Sequence, residues 1–163
     1  MEIKMSKQDK IKWDKRYMEL ATLVSTWSTC FKENRNVGAV LVKKNRILTV
    51  GYNGAPSGVK NCVERGECLR IKLGIESGTR AETCYSIHAE QNAIVQAAKL
   101  GLNTEGATCY VTHQPCATCS RLLISAGVTR IVYKEPYPDK FSLELLKEAG
   151  VKLEQIDDII KGK

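Results

Sequence analysis

Two motifs constrain this chain more than anything else in it: His88-Ala89-Glu90, and, a helix and a strand later, Pro115-Cys116-Ala117-Thr118-Cys119. One imidazole and two thiolates make three ligands for a tetrahedral zinc, and a catalytic zinc keeps its fourth position open for water. A fold that uses both motifs must bring the openings of two helices to one point. The periodicity predicts this: 89–100 reads as a helix stopped by Gly101, 107–112 as a strand, and 116–126 as a helix stopped by Gly127. Cysteines three apart share a helix face, and helix N-termini carry partial positive charge that favours thiolates. Pro115 stands before or at that helix start, where its missing N–H costs little. A histidine here can also be a cap, Glu90 can simply complement the helix dipole, and Cys-x-x-Cys alone occurs in redox pairs and structural zinc half-sites. The coincidence of both motifs in order selects the open zinc site. Glu90 is then placed to move protons rather than to bind metal. His113, just before the metal turn, reads equally as pocket lining or as a polar rim residue.

The rest of the chain supplies the frame. Trp13, Tyr17, Leu20, Ala21, Val24 and Trp27 recur at helical spacing and read as the core stripe of a first helix. Residues 37–42 and 47–50, around the polar turn 43–46, read as an antiparallel strand pair. From 54 to 83 the period disappears, and a loop of that length is functional or tied down by something other than a core. Beyond it, 129–133 is a strand, 142–149 a helix stopped by Gly150, and 151–155 a last strand. Strands alternating with helices imply right-handed crossovers and a largely parallel sheet covered on both faces. The 163 residues suit one domain, 1–163, with an insertion at about 54–84 and no internal repeat.

Composition narrows the setting. Seven cysteines, an odd number, in clustered spacing and with no signal peptide point to metal in a reducing compartment, so a soluble cytoplasmic protein is expected. No apolar run approaches a membrane span, which sets membrane partners aside. The net charge of +7 suits an anionic ligand, but the lysines are scattered and serve plain solubility as well.

At these residues the chain resembles the cytidine deaminase superfamily and, within it, the deoxycytidylate deaminases. Gly51-Tyr52-Asn53-Gly54-Ala55-Pro56-Ser57-Gly58 is similar to that family's glycine-rich loop, and His88-Ala89-Glu90-Gln91-Asn92-Ala93-Ile94 to its active-site helix; the likeness covers about 22–151. The resemblance implies a three-layer α/β/α sandwich around a mixed five-stranded sheet, assembled as a homo-oligomer, often a hexamer. It implies hydrolysis of dCMP to dUMP and ammonia for thymidylate synthesis, with dCTP as activator, dTTP as inhibitor, and Mg2+ accompanying such effectors. Substrate contacts implied are Asn53, whose Asn-Gly dipeptide also reads as plain turn chemistry, Ala89, and Tyr137, which also suits an ordinary turn. Some members carry a second, structural zinc; Cys30 and Cys62 match its ligands, and Cys68 and Cys84 are added because they are available. Cys109 reads as a small core residue of its strand.

Rivals share the motifs. A tRNA adenosine deaminase would explain the positive charge, but the Tyr-Asn-Gly loop and the cysteine-bearing insertion argue against it and make a nucleic-acid partner unexpected. A guanine or riboflavin-pathway deaminase fits the loop less well. A catalytically silent zinc-binding regulatory protein has no need of Glu90 and would fill the fourth zinc position.

Overall fold

The computed structural model describes residues 6–32, 34–76 and 79–162. Ser6 opens α1 (Lys7–Ser25), its hydroxyl accepting the Asp9 N–H, and Tyr17, Met18, Ala21 and Val24 form the buried face at three- and four-residue steps. The predicted stripe ends there. Trp27 lies beyond the helix, 50% exposed and edge-on to Tyr52, because Ser25 and Thr26 turn their hydroxyls back onto the Thr22 and Leu23 carbonyls and compete with continued helix.

Strands β1 (Gly38–Lys43) and β2 (Arg46–Tyr52) form the predicted antiparallel pair. Lys44 and Asn45, both at positive φ (48° and 59°), make the two-residue turn that strand twist favours. Two short helices, α2 (Cys62–Arg65) and α3 (Leu69–Lys72), and a 3-10 turn at Ala81–Thr83 punctuate the long loop. Then follow α4 (Ala89–Lys99), β3 (Thr108–His113), α5 (Ala117–Ser125), β4 (Arg130–Glu135), α6 (Lys140–Glu148), β5 (Lys152–Gln155) and α7 (Ile156–Lys161).

The sheet runs β2-β1-β3-β4-β5. Strand β1 is antiparallel to both neighbours, while β3, β4 and β5 are parallel. The largely parallel sheet expected from the alternation of strands and helices is thus corrected to the mixed five-stranded sheet that the resemblance implied. The connection from β2 through α4 to β3 steps over β1, so the hairpin leaves β1 running against both sides.

Side chains alternate along β1 and feed two cores. Ala39 and Leu41 join Ala89, Ala93, Cys109, Val111, Leu123, Ile131 and Leu146 under α4, α5 and α6; Val40 and Val42 join Tyr17, Ala21, Tyr110, Val132 and Ile156 under α1 and α7. The result is the α/β/α sandwich that the resemblance implied, with Cys109 in the core as read. Both helical layers press hard on the sheet. A Cβ at Gly38 would lie 2.1 Å from the Ala21 carbonyl oxygen, and one at Gly51 2.3 Å from that of Ala89.

One buried charge cluster crosses the second core. The Arg130 guanidinium forks onto Asp14, which is 2% exposed, at 2.7 and 2.8 Å, and its Nε donates to Glu154 at 2.6 Å. The Tyr110 hydroxyl donates to the same Asp14 at 2.6 Å, so α1, β3, β4 and β5 are tied at one point.

Candidate active site

Backbone bonds between Gly54 and Ile87, at 3.3 and 3.0 Å, fasten the start of the long loop to the residue before His88. His88 is the N-cap of α4, extended at φ −73° and ψ 158°, and its N–H donates to Gln91 Oε1 at 2.8 Å. Cys116 is the N-cap of α5, extended at φ −72° and ψ 168°, with Cys119 three residues on. The two helix openings meet. The donor atoms of His88, Cys116 and Cys119 lie within 4.8 Å of one another, His88 Nδ1 being 3.6 Å from Cys116 Sγ and 3.3 Å from Cys119 Sγ. Among the described residues no other three His, Cys, Asp or Glu side chains converge in this way.

The electrostatics suit a cation. The Cys116 thiol is pushed down to about 4 by the Cys119 S–H bond, against the cost of burial and with further help from His88. Cys119 stays high while it donates that proton and is buried; a bound metal takes the proton's place. His88 is raised, chiefly by its bond to Cys116. Glu90 is 4% exposed, and burial raises its carboxyl although the His88 imidazole pulls the other way. An imidazole with two thiols, one already favoured as thiolate, is a donor set that fits zinc, and three donors leave a position for a reactant.

A cavity of about 410 Å³ opens onto this group. Its walls include Lys32, Arg35 and Arg70 as cations and Ala89, His113 and Tyr137 from the elements around the metal turn. No helix of the described chain is long and apolar enough to cross a membrane.

The family model of the cytidine and deoxycytidylate deaminase zinc-binding region matches residues 11–135. The chain belongs to that family. Deoxycytidylate deaminase of Schizosaccharomyces pombe is 40% identical over 144 residues, 88% of this chain but 44% of the relative's own length. That of Mycobacterium phage D29 is 39% identical over 134 residues, 79% of this chain and 97% of the phage protein. The crystal structure of the cyanophage S-TIM5 dCMP deaminase in complex with dCMP and dUMP superposes with a TM-score of 0.73 at 33% identity, covering 93% of this chain and 99% of that one.

Other residues singled out in the sequence fall unevenly around the site. Asn53 lines the cavity, but its amide is already engaged by backbone: Oδ1 accepts the Val37 N–H at 2.8 Å and Nδ2 donates to the Arg35 carbonyl at 2.8 Å. Cys30, Cys68 and Cys84 line the same cavity, and Cys62 is buried. After burial, neighbouring thiols are what raise Cys30 and Cys62, so the four lie near one another, although no three of their sulfurs close to 4.8 Å. Sequence reasoning missed the braces of the metal turn. The Asp139 carboxylate accepts the Ala117 N–H at 2.8 Å and the Ser142 N–H at 2.9 Å, and the Ser142 hydroxyl donates to the Pro115 carbonyl at 2.7 Å. Asp139 ahead of an apolar helix was a readable N-cap signal; nothing local announced its second bond.

Proposed function

We propose that this chain hydrolyses dCMP to dUMP and ammonia, supplying dUMP for thymidylate synthesis, as one deaminase unit over 1–163. The observation that carries the reading is the buried Glu90 carboxyl beside an open three-donor zinc group at the end of a cavity walled by Lys32, Arg35 and Arg70. Likeness to enzymes named for dCMP supports the same substrate.

His88, Cys116 and Cys119 would hold the zinc, and when bound it supplies a water activated at neutral pH. The remaining chemistry is proton traffic by Glu90. Its carboxylate takes a proton from the attacking water and gives it to N3 of the cytosine as oxygen adds at C4. It then carries the proton of the new C4 hydroxyl to the amine, which leaves as ammonia. Positioned acid–base groups of this kind contribute roughly 10²–10⁴-fold. Ala89 and Tyr137 border the substrate, and Asn53 shapes the wall through its backbone bonds.

The same reading includes a homo-oligomer, a hexamer by the resemblance, with dCTP and dTTP, accompanied by Mg2+, as effectors at the glycine-rich loop. Thiolate zinc ligands need a reducing compartment, which favours the cytoplasm. One assay tests the assignment: ammonia release from cytidine, deoxycytidine, dCMP, dCTP and an adenosine-containing tRNA. dCMP is expected to give the highest kcat/KM, and a better rate on cytidine or the tRNA overturns the assignment. No turnover of any of them by the zinc-loaded protein would favour the regulatory alternative.

A second, structural zinc at Cys30, Cys62, Cys68 and Cys84 belongs to this proposal. Its support is the gathering of the four thiols around a long loop whose short helices bury little and whose ordering needs another source of free energy. Four thiolates would fill a tetrahedral shell. Elemental analysis should find two zincs per chain, falling to one in Cys62→Ser. A single zinc in carefully prepared wild type excludes the second site.

A further inference from the structure

We propose that His113 is a specificity-determining residue: Thr112 holds its ring as the Nε2–H tautomer, and that N–H donates to the phosphate of a nucleotide in the cavity. The inference rests on the reading that the cavity takes a nucleoside monophosphate. His113 ends β3, three residues before Cys116, and lines the same cavity as the zinc ligands.

The tautomer follows from hydrogen-bond bookkeeping around Thr112. This side chain is buried, its Oγ1 accepts the Gly38 N–H at 3.2 Å, and it lies 3.2 Å from His113 Nδ1. A buried hydroxyl needs somewhere to send its own proton, and among the described residues Nδ1 is the acceptor within reach. Nδ1 therefore accepts, and in a neutral imidazole the remaining nitrogen must carry the hydrogen. With Nδ1 turned to the wall, the opposite edge of the ring, bearing Nε2–H, is the one left for the cavity. No other hydrogen bond engages the ring among the described residues.

The surroundings keep that arrangement and favour an anion. Burial holds the imidazole below the usual histidine pKa; Glu135 pulls it up, and the charges of Arg35 and Lys134 act with burial. The ring is thus neutral near pH 7, and Nδ1 is free to accept. The ring feels the Glu135 carboxylate as well as Arg35 and Lys134, so its local field is mixed; what favours a phosphate oxygen over a sugar hydroxyl is the cavity wall that this neutral donor shares with Lys32 and Arg35. Of the carboxylates that line the cavity, Glu90 is buried beside His88 in the metal group, and the other two are already engaged. Asp139 is held by two backbone N–H groups, and Glu82 faces Arg80 at 3.9 Å.

The chain has two histidines, so long-range 1H–15N spectra contain two rings, and His113→Gln removes one. His113 should show a bare Nδ1 and a protonated Nε2, and its signals should move with dUMP but far less with deoxyuridine. A proton on Nδ1, a ring that ignores dUMP, or an equal response to deoxyuridine overturns the inference. These readouts need no turnover, so they stand or fall separately from the deaminase assignment. In kinetics, His113→Leu should raise KM for dCMP roughly tenfold to a hundredfold, more than it lowers kcat. It should erode selectivity for dCMP over deoxycytidine, and His113→Gln, which keeps an N–H, should restore part of the loss. An unchanged KM in a folded, zinc-loaded His113→Leu protein overturns it too.

Discussion

Glu90 and the three residues of the metal group differ in kind, and substitution separates them. Glu90→Gln keeps the size and burial of the side chain but removes the carboxylate proposed to carry the proton, so turnover should fall by at least about 10²–10⁴-fold while zinc stays bound. Metal content and activity measured on one preparation decide this; loss of the metal would move Glu90 into the coordination shell, and wild-type activity would end its acid–base role. The convergence of His88, Cys116 and Cys119 near Glu90 was legible in the sequence because donor chemistry and helix-start spacing are local properties. The braces were not. Asp139 reaches Ala117 across 22 residues and Ser142 reaches Pro115 across 27, and no short pattern encodes such bonds. Asn53 shows the opposite case, a residue read for a ligand whose amide the fold already engages with its own backbone.

At the scale of elements, the site depends on how closely α4 lies on β2. A methyl at Gly51 would meet the Ala89 carbonyl oxygen at 2.3 Å and the Ala93 nitrogen at 2.5 Å, both backbone atoms that cannot swing aside. Gly51→Ala should therefore cost about 1–3 kcal/mol and lower Tm by several degrees, with weakened zinc retention because His88 caps the displaced helix. An unchanged melting curve would mean that the two elements part at no cost. The period of apolar residues exposed each of the longer helices and all five strands. It could not register α2 and α3, of four residues each, or α7, of six, because a helix that short has no repeat to read. The antiparallel pairing of β1 with β3 was hidden as well, since alternation of strands and helices does not say which strand a crossover will step over.

Across the whole molecule, the Asp14–Arg130–Glu154 cluster joins the first helix to the last strand. Arg130→Met would strand a buried Asp14 carboxylate and should cost about 3–5 kcal/mol in denaturant unfolding, with much of it returned by Asp14→Asn in the same chain. Additive losses would mean that the two side chains are energetically independent. The pH dependence follows from Glu154. Burial alone would raise its carboxyl, but the bonds from Lys152 and Arg130 prevail and hold it below the usual value. A carboxyl lowered in the folded state contributes fully above its unfolded pKa of about 4.3 and loses that contribution as pH falls through the folded value. The stability gap between wild type and Glu154→Gln should therefore be constant from neutral pH to about 5 and close in acid. A gap that widens in acid would reverse the assignment.

Asp14 and Arg130 are 116 residues apart. During synthesis at about 5–20 residues per second, Asp14 is added roughly 6–23 s before its counter-ion exists. Throughout that interval an amphipathic helix with Tyr17, Met18, Ala21 and Val24 on one side has Val40 and Val42 of β1 to lie on, but waits for Tyr110 of β3 and Val132 of β4 to complete its bed. The nascent chain thus spends most of its translation with that stripe only partly covered, and the helix made first is among the last to be locked.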